Sequence, residues 1–132
     1  MGNAESGDIP AFRFQMLTEG VLSMLSPPRG PFGLSLSGTQ VTDAGLNGLT
    51  GLKSLRSLEV GETQVTDAGL KELAGLKSLQ SLDLFDTKVA DAGLKELAVL
   101  KSLQSLNLYG TKVTDAGVAE LRKALPNCKI TR

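Results

Sequence analysis

Histidine and tryptophan are absent from this chain of 132 residues, and cysteine occurs once, at Cys128. Without histidine, the side chain best suited to proton transfer near neutral pH is missing, and so is the commonest metal ligand. A lone cysteine excludes an internal disulfide and leaves the redox compartment unspecified. Four phenylalanines and one tyrosine are the only aromatics, so aliphatic side chains, leucine above all, must fill the core. Fourteen basic residues balance fourteen acidic ones, which removes any global field that would draw in nucleic acid or an acidic membrane surface. No apolar run approaches the roughly 18 residues of a membrane span. The N-terminus has no basic-then-apolar signal segment, so a cytoplasmic location is the default expectation. Met1-Gly2-Asn3-Ala4-Glu5-Ser6 fits the loose myristoylation pattern, but no polybasic stretch follows to add the second membrane signal that stable anchoring needs. Residues 1–9 therefore read as a disordered tail. Walker A loop, dinucleotide fingerprint, nucleophile elbow and metal-ligand cluster are all missing, so neither catalysis nor a cofactor is expected.

What the chain does contain is repetition. The stretch Val89 to Leu108 returns almost unchanged 24 residues earlier, from Val65 to Leu84, and again in edited form from Val41 to Val60. Val113-Thr114-Asp115-Ala116-Gly117-Val118 restarts it. Self-similarity at such a period means one supersecondary unit per copy, stacked as a solenoid. Each unit opens with a period-2 segment such as Leu82-Asp83-Leu84, the pattern of a half-buried strand. A turn follows, and then Asp91 to Leu97 reads as a two-turn helix too short to persist without stacking. Asp43, Asp67, Asp91 and Asp115 each fall at a helix start, where a carboxylate would satisfy backbone N–H groups.

The spacing predicts one domain over residues 10–132. Residues 10–33 form a degenerate N-terminal cap coil, aligned at the same step so that Phe12 precedes Leu36. Its strand is expected at Ala11 to Gln15 and its helix at about Glu19 to Leu25, with Pro27, Pro28 and Pro31 stiffening the return leg. Repeats follow at 34–57, 58–81 and 82–105, then a last repeat with the C-terminal cap at 106–132. In that cap a longer helix, a stop at Pro126 and a closing strand are expected, with Cys128 filling a leucine slot.

The spacing Leu79-x-x-Leu82-x-Leu84-x-x-Thr87-x-Val89 resembles the leucine-rich repeat signature, and it recurs from Leu55 and from Leu103. The V-T-D-A-G-L wording is similar to bacterial arrays of this family and to the cysteine-containing repeats of F-box proteins. The resemblance implies an α/β solenoid, a right-handed horseshoe with a parallel sheet on the concave side and short helices on the convex side. One departure stands out. The family's ladder asparagine is threonine here, at Thr39, Thr63, Thr87 and Thr111, which offers one donor where an amide offers two.

Outward strand positions can then be written as columns. One holds Gly33, Ser57, Ser81 and Ser105; the next Ser35, Glu59, Asp83 and Asn107; the third Ser37, Gly61, Phe85 and Tyr109. Gly38, Glu62, Asp86 and Gly110 occupy the turn just beyond. Differences between the second and third repeats concentrate here, while their helical halves barely change. A constant scaffold with one varying face is what a binding surface would show; neutral drift at exposed positions is the plainer account. Phe85 and Tyr109, expected as exposed neighbours about 5 Å apart, make candidate hot spots, against the simpler reading that they only shield the sheet. Glu59, Glu62, Asp83 and Asp86 form an acidic patch that would steer a basic partner and has no pocket to support acid–base chemistry. The expectation is a non-catalytic scaffold, monomeric or weakly self-associating, that binds a protein or peptide through Phe85, Tyr109, Glu59, Asp83, Asn107, Glu62 and Asp86. Two other roles remain: a recognition fragment of a larger protein, and an F-box-like adaptor, for which the first 33 residues are short.

Overall fold

The computed structural model describes residues 11–13 and 30–132. The expected tail at 1–9, the cap helix at Glu19 to Leu25 and the Pro27–Pro28 leg lie outside the described residues. Among the described residues six short strands form one parallel sheet in sequence order: β1 (Ala11–Arg13), β2 (Phe32–Ser35), β3 (Leu55–Glu59), β4 (Ser81–Asp83), β5 (Ser105–Asn107) and β6 (Lys129–Thr131). Between strands run α1 (Asp43–Leu46, extended by a 3-10 turn over Asn47–Leu49), α2 (Asp67–Leu73), α3 (Asp91–Leu97) and α4 (Asp115–Ala124). This is the α/β solenoid that the repeat implies.

Leucines stacked in rungs hold the coils together. Leu34, Leu58, Leu82 and Leu106 share one register, and Ile130 extends it. Leu36, Val60, Leu84 and Leu108 form a second buried rung, and Leu55, Leu79 and Leu103 a third. Each buried aliphatic side chain contributes about 1.5–3 kcal/mol relative to exposure, which is what stabilises helices of seven residues. The first helix is shorter for a local reason. Asn47-Gly48 stands where Lys71-Glu72 stands in the next coil, and these poor helix formers tighten its second turn to 3-10. At the other end α4 gains three residues, stops before Pro126, and is followed by buried Cys128. In the N-terminal coil the constant step fails: Phe12 pairs with Leu34 rather than reaching Leu36.

The joints between coils depart from the expected roles of aspartate and threonine. Thr39, Thr63, Thr87 and Thr111 do not reach across the stack. Each hydroxyl donates to a carbonyl three residues back in its own coil, those of Leu36, Val60, Leu84 and Leu108, at 2.6–2.8 Å. The aspartates do the crossing. Asp43 accepts the Thr66 N–H at 2.7 Å and the Thr66 hydroxyl at 2.5 Å. Asp67 accepts the Ala90 N–H at 2.7 Å, and Asp91 accepts the Thr114 N–H at 2.8 Å and its hydroxyl at 2.5 Å. Each carboxylate therefore serves the N-cap of the next helix rather than its own.

The glycine of the same motif makes this possible. A Cβ at Gly93 would lie 2.5 Å from Asp67 Oδ1, and Gly69 and Gly117 face Asp43 and Asp91 in the same way. Within D-A-G, the aspartate reaches forward and the glycine two residues on leaves room for the aspartate arriving from behind. At Asp115 the partner is Arg132. Its guanidinium donates to Asp115 and, through Nε and Nη2, to the Val113 carbonyl at 3.2 and 3.1 Å. The corresponding carbonyls of Val41 and Val89 accept from the N–H groups of Gln64 and Lys112.

Candidate binding face

The sheet register sets two lateral rows on the concave side. Ser57, Ser81, Ser105 and Lys129 are successive partners, and so are Ser35, Glu59, Asp83, Asn107 and Thr131. Glu59, Asp83 and Asn107 are half-exposed. Ser35, expected among the exposed positions, is instead 8% exposed, within a strand buried along its whole length.

Phe85 and Tyr109 lie beyond the strand ends, not on the strands where the alternation placed them. The residue preceding them by two turns the chain. Asp83 Oδ1 accepts the Phe85 N–H at 2.8 Å, and Asn107 Oδ1 accepts the Tyr109 N–H at 3.0 Å. Each such side-chain-to-backbone bond takes an N–H out of the ladder, although single bonds between coils persist past it, from the Glu62 N–H to the Phe85 carbonyl and from the Asp86 N–H to the Tyr109 carbonyl. The two rings stack with centroids 5.9 Å apart and planes 9° from parallel. Gly61 is the seat of the pile: a Cβ there would come within 3.0 Å of the Phe85 carbonyl and 3.2 Å of its Cβ. Tyr109 remains 60% exposed, and Phe85 is half-buried beneath it.

The next position is a left-handed turn. Gly38 and Gly110 adopt φ of 73° and 80°, but Glu62 and Asp86 hold 55° and 56° at the same place. A side chain in this region costs roughly 1–2 kcal/mol. Both residues are exposed, Asp86 on the same turn as Phe85 and Glu62 on the turn one coil earlier. The structure thus brings Phe85, Tyr109, Asp83, Asp86 and Asn107 together at the C-terminal ends of β4 and β5, with Glu59 and Glu62 one coil earlier.

The convex side carries a feature the sequence reading missed. An open groove of about 410 Å³ runs between α3 and α4, floored by Leu94, Ala98, Ala116, Gly117 and Leu121 and edged by Asp91, Lys95 and Glu120. Its lining repeats the residue types found between α2 and α3, from Asp67 and Leu70 to Glu96 and Leu97, so no change in the sequence marks it. Val99, 45% exposed, replaces the Gly75 of the coil before. Burial pushes the Cys128 thiol up, away from the reactive thiolate. Among the described residues no group of acids and cysteine could hold a metal ion, and no helix is long and apolar enough to cross a membrane.

A family model described as Leucine Rich repeat matches residues 51–74, 75–98 and 99–121. The chain belongs to the leucine-rich repeat family. A leucine-rich repeat protein of Leptospira interrogans superposes with a TM-score of 0.65 at 27% identity, covering 89% of this chain and 28% of its own length. An internalin of Listeria monocytogenes gives 0.55 at 20% identity, with 88% and 37% covered, and shares the fold. No curated protein matches. The chain spans under two-fifths of the length of either structure.

Proposed function

We propose that this leucine-rich repeat segment is a non-catalytic scaffold that binds a protein or peptide across its concave face. The observation that carries the reading is the Phe85–Tyr109 stack, a rigid aromatic surface left in water beside a row of carboxylates. Aromatic side chains with few rotamers, held by their backbones, anchor interfaces at low entropic cost. Glu59, Asp83 and Asn107 supply a polar margin, and Glu62 and Asp86 add charge that favours a basic partner. A role as the recognition segment of a longer protein is compatible with the same face and is favoured by the short span of the two similar structures covered here.

The test compares the two sides of the solenoid. Peptides selected from a random display library on the wild-type protein are titrated against single variants. Phe85→Ala or Tyr109→Ala should weaken binding by roughly 2 kcal/mol with the melting temperature nearly unchanged. Lys71→Ala on α2 and Glu96→Ala on α3 should leave it intact. Glu59→Lys should mainly slow association, as added salt should; Asp83 is less suitable because it also holds the Phe85 N–H. Loss of binding from the convex variants with a silent aromatic pair would place the interface on the helices.

A further inference from the structure

We infer that Asn47 is a site of spontaneous deamidation, where the chain converts its own side-chain amide to an isoaspartyl linkage and loosens the coil that carries α1. The site is independent of the concave face.

Asn47-Gly48 is the one place in the chain where glycine follows asparagine; alanine follows Asn3, leucine follows Asn107 and cysteine follows Asn127. The reaction requires the backbone nitrogen of the next residue to close on asparagine Cγ. A glycine there has no Cβ in the way and the freest backbone. The surroundings also leave the amide available. Asn47 is exposed, and its side chain makes no hydrogen bond among the described residues. Asn107, by contrast, is held in place, its Oδ1 accepting the Tyr109 N–H at 3.0 Å.

What restrains Asn47 is its turn. Its φ of −57° and ψ of −29° are helical, and ring closure needs ψ to leave that region. Little holds it there. The α1 helix has four residues and its 3-10 extension three. The Thr50 N–H reaches the Asn47 carbonyl at a long 3.3 Å, seconded by the Thr50 hydroxyl at 3.0 Å. Such a turn opens locally, without unfolding of the solenoid. Lys71-Glu72 and Lys95-Glu96 occupy this place in the next two coils, so the vulnerable pair belongs to this coil.

In the opened turn the Gly48 nitrogen gives up its proton to hydroxide and attacks Asn47 Cγ. The bond from Cγ to Nδ2 breaks, and ammonia leaves with a proton returned by water. Water then opens the five-membered imide. Cleavage at Cγ gives aspartate; cleavage at the Asn47 main-chain carbonyl gives isoaspartate, with the backbone running through Cβ and Cγ. The sum is one water consumed and one ammonia released, with no change of oxidation state. Isoaspartate lengthens by one methylene a turn whose neighbours Leu46 and Leu49 are both fully buried. Either product adds a negative charge at the C-terminal end of α1, where the helix dipole disfavours it.

The whole chain is aged in mildly alkaline buffer and digested with trypsin; the peptide Gly30–Lys53 holds Asn47 as its only asparagine. Conversion is read from the change in its mass and from labelling by isoaspartyl methyltransferase. In the native protein it should run about tenfold or more faster than at Asn107 or Asn127. It should also run slower than at the same site in urea, because the turn must first open. In urea, where folding no longer matters, Gly48→Ala should slow it about tenfold, the factor that a barrier change of about 1.4 kcal/mol gives. Aged protein should melt below the Asn47→Asp variant, which carries the charge without the longer backbone. Native conversion no faster than at the other asparagines, or conversion in urea alone, would overturn the site. An unslowed Gly48→Ala would overturn the imide route, and aged protein as stable as Asn47→Asp would overturn the loosening of the coil.

Discussion

Replacing Gly93 by alanine tests how the coils are joined. A glycine-to-alanine change inside a helix ordinarily stabilises it by about 1 kcal/mol. Here the new carbon would stand 2.5 Å from Asp67 Oδ1, 2.9 Å from Leu70 Cδ1 and 3.1 Å from Asp67 Cγ. The Leu70 methyl ends a rotatable chain and can yield. Asp67 can yield only by leaving the Ala90 N–H, which it holds at 2.7 Å. Losing a hydrogen bond to a charged acceptor costs about 1.5–3 kcal/mol, so net of the helix gain Gly93→Ala should destabilise by about 0.5–2 kcal/mol. In an Asp67→Ala background the obstacle is gone, and the same change should become neutral or stabilising. The double-mutant cycle then reads a coupling of about 1–3 kcal/mol across two coils. Urea unfolding followed by far-UV circular dichroism on the four proteins gives the numbers. Gly51→Ala, with no heavy atom within 4 Å of the new carbon, serves as an unobstructed control. An equal cost for Gly93→Ala in both backgrounds would refute the interlock.

Ala90 caps α3 without a side-chain bond, where Thr66 and Thr114 cap theirs with a hydroxyl. Ala90→Thr should supply that cap and a second donor to Asp67, raising stability by about 0.5–2 kcal/mol in the same assay; a decrease would contradict it. Leu84→Ala should cost about 2–5 kcal/mol and more than Leu36→Ala, because its coil has full neighbours on both sides. Equal and negligible losses would count against the assigned rungs. The Asp91 carboxyl is held below its ordinary value, first by the Thr114 hydroxyl and then by the Thr114 N–H. A lowered folded-state pKa stabilises fully above the unfolded-state value of about 3.9 and fades as pH falls through the folded one. Asp91→Asn should therefore flatten the acid limb of melting temperature against pH below roughly pH 4, and an unchanged limb would refute the linkage.

The solenoid and its leucine rungs were legible because a period needs no third dimension: Leu58, Leu82 and Leu106 lie one repeat apart in text and one strand apart in space. Asp67 was harder to read. Its position at a helix start suggests a cap for its own helix, and only the distance between stacked coils shows that it serves Ala90 instead. Phe85 and Tyr109 were identifiable as neighbours, but strict alternation kept them on the strand, since the turning bonds of Asp83 and Asn107 depend on side-chain reach rather than hydropathy. Ser35 looks like any other outward polar position, and only the structure separates it, buried, from Glu59 and Asp83, half-exposed in the same row. In the N-terminal coil, too few matching residues remained to detect that Phe12 pairs two positions early.

The D-A-G joint also governs how such an array can change length. The copies at Asp67 and Asp91 carry both halves of the connection: a carboxylate that reaches forward and, for the one arriving from behind, an N-cap N–H that donates to it and a glycine that leaves it room. Duplicating or deleting one whole coil in frame therefore leaves every junction chemically intact, wherever the event falls among the regular copies. What changes is the concave surface, which grows or shrinks by one strand spacing of about 4.8 Å and acquires a fresh set of lateral positions free to diverge. The footprint available to a partner thus becomes a quantity set by recombination in uniform steps, independent of selection on the core.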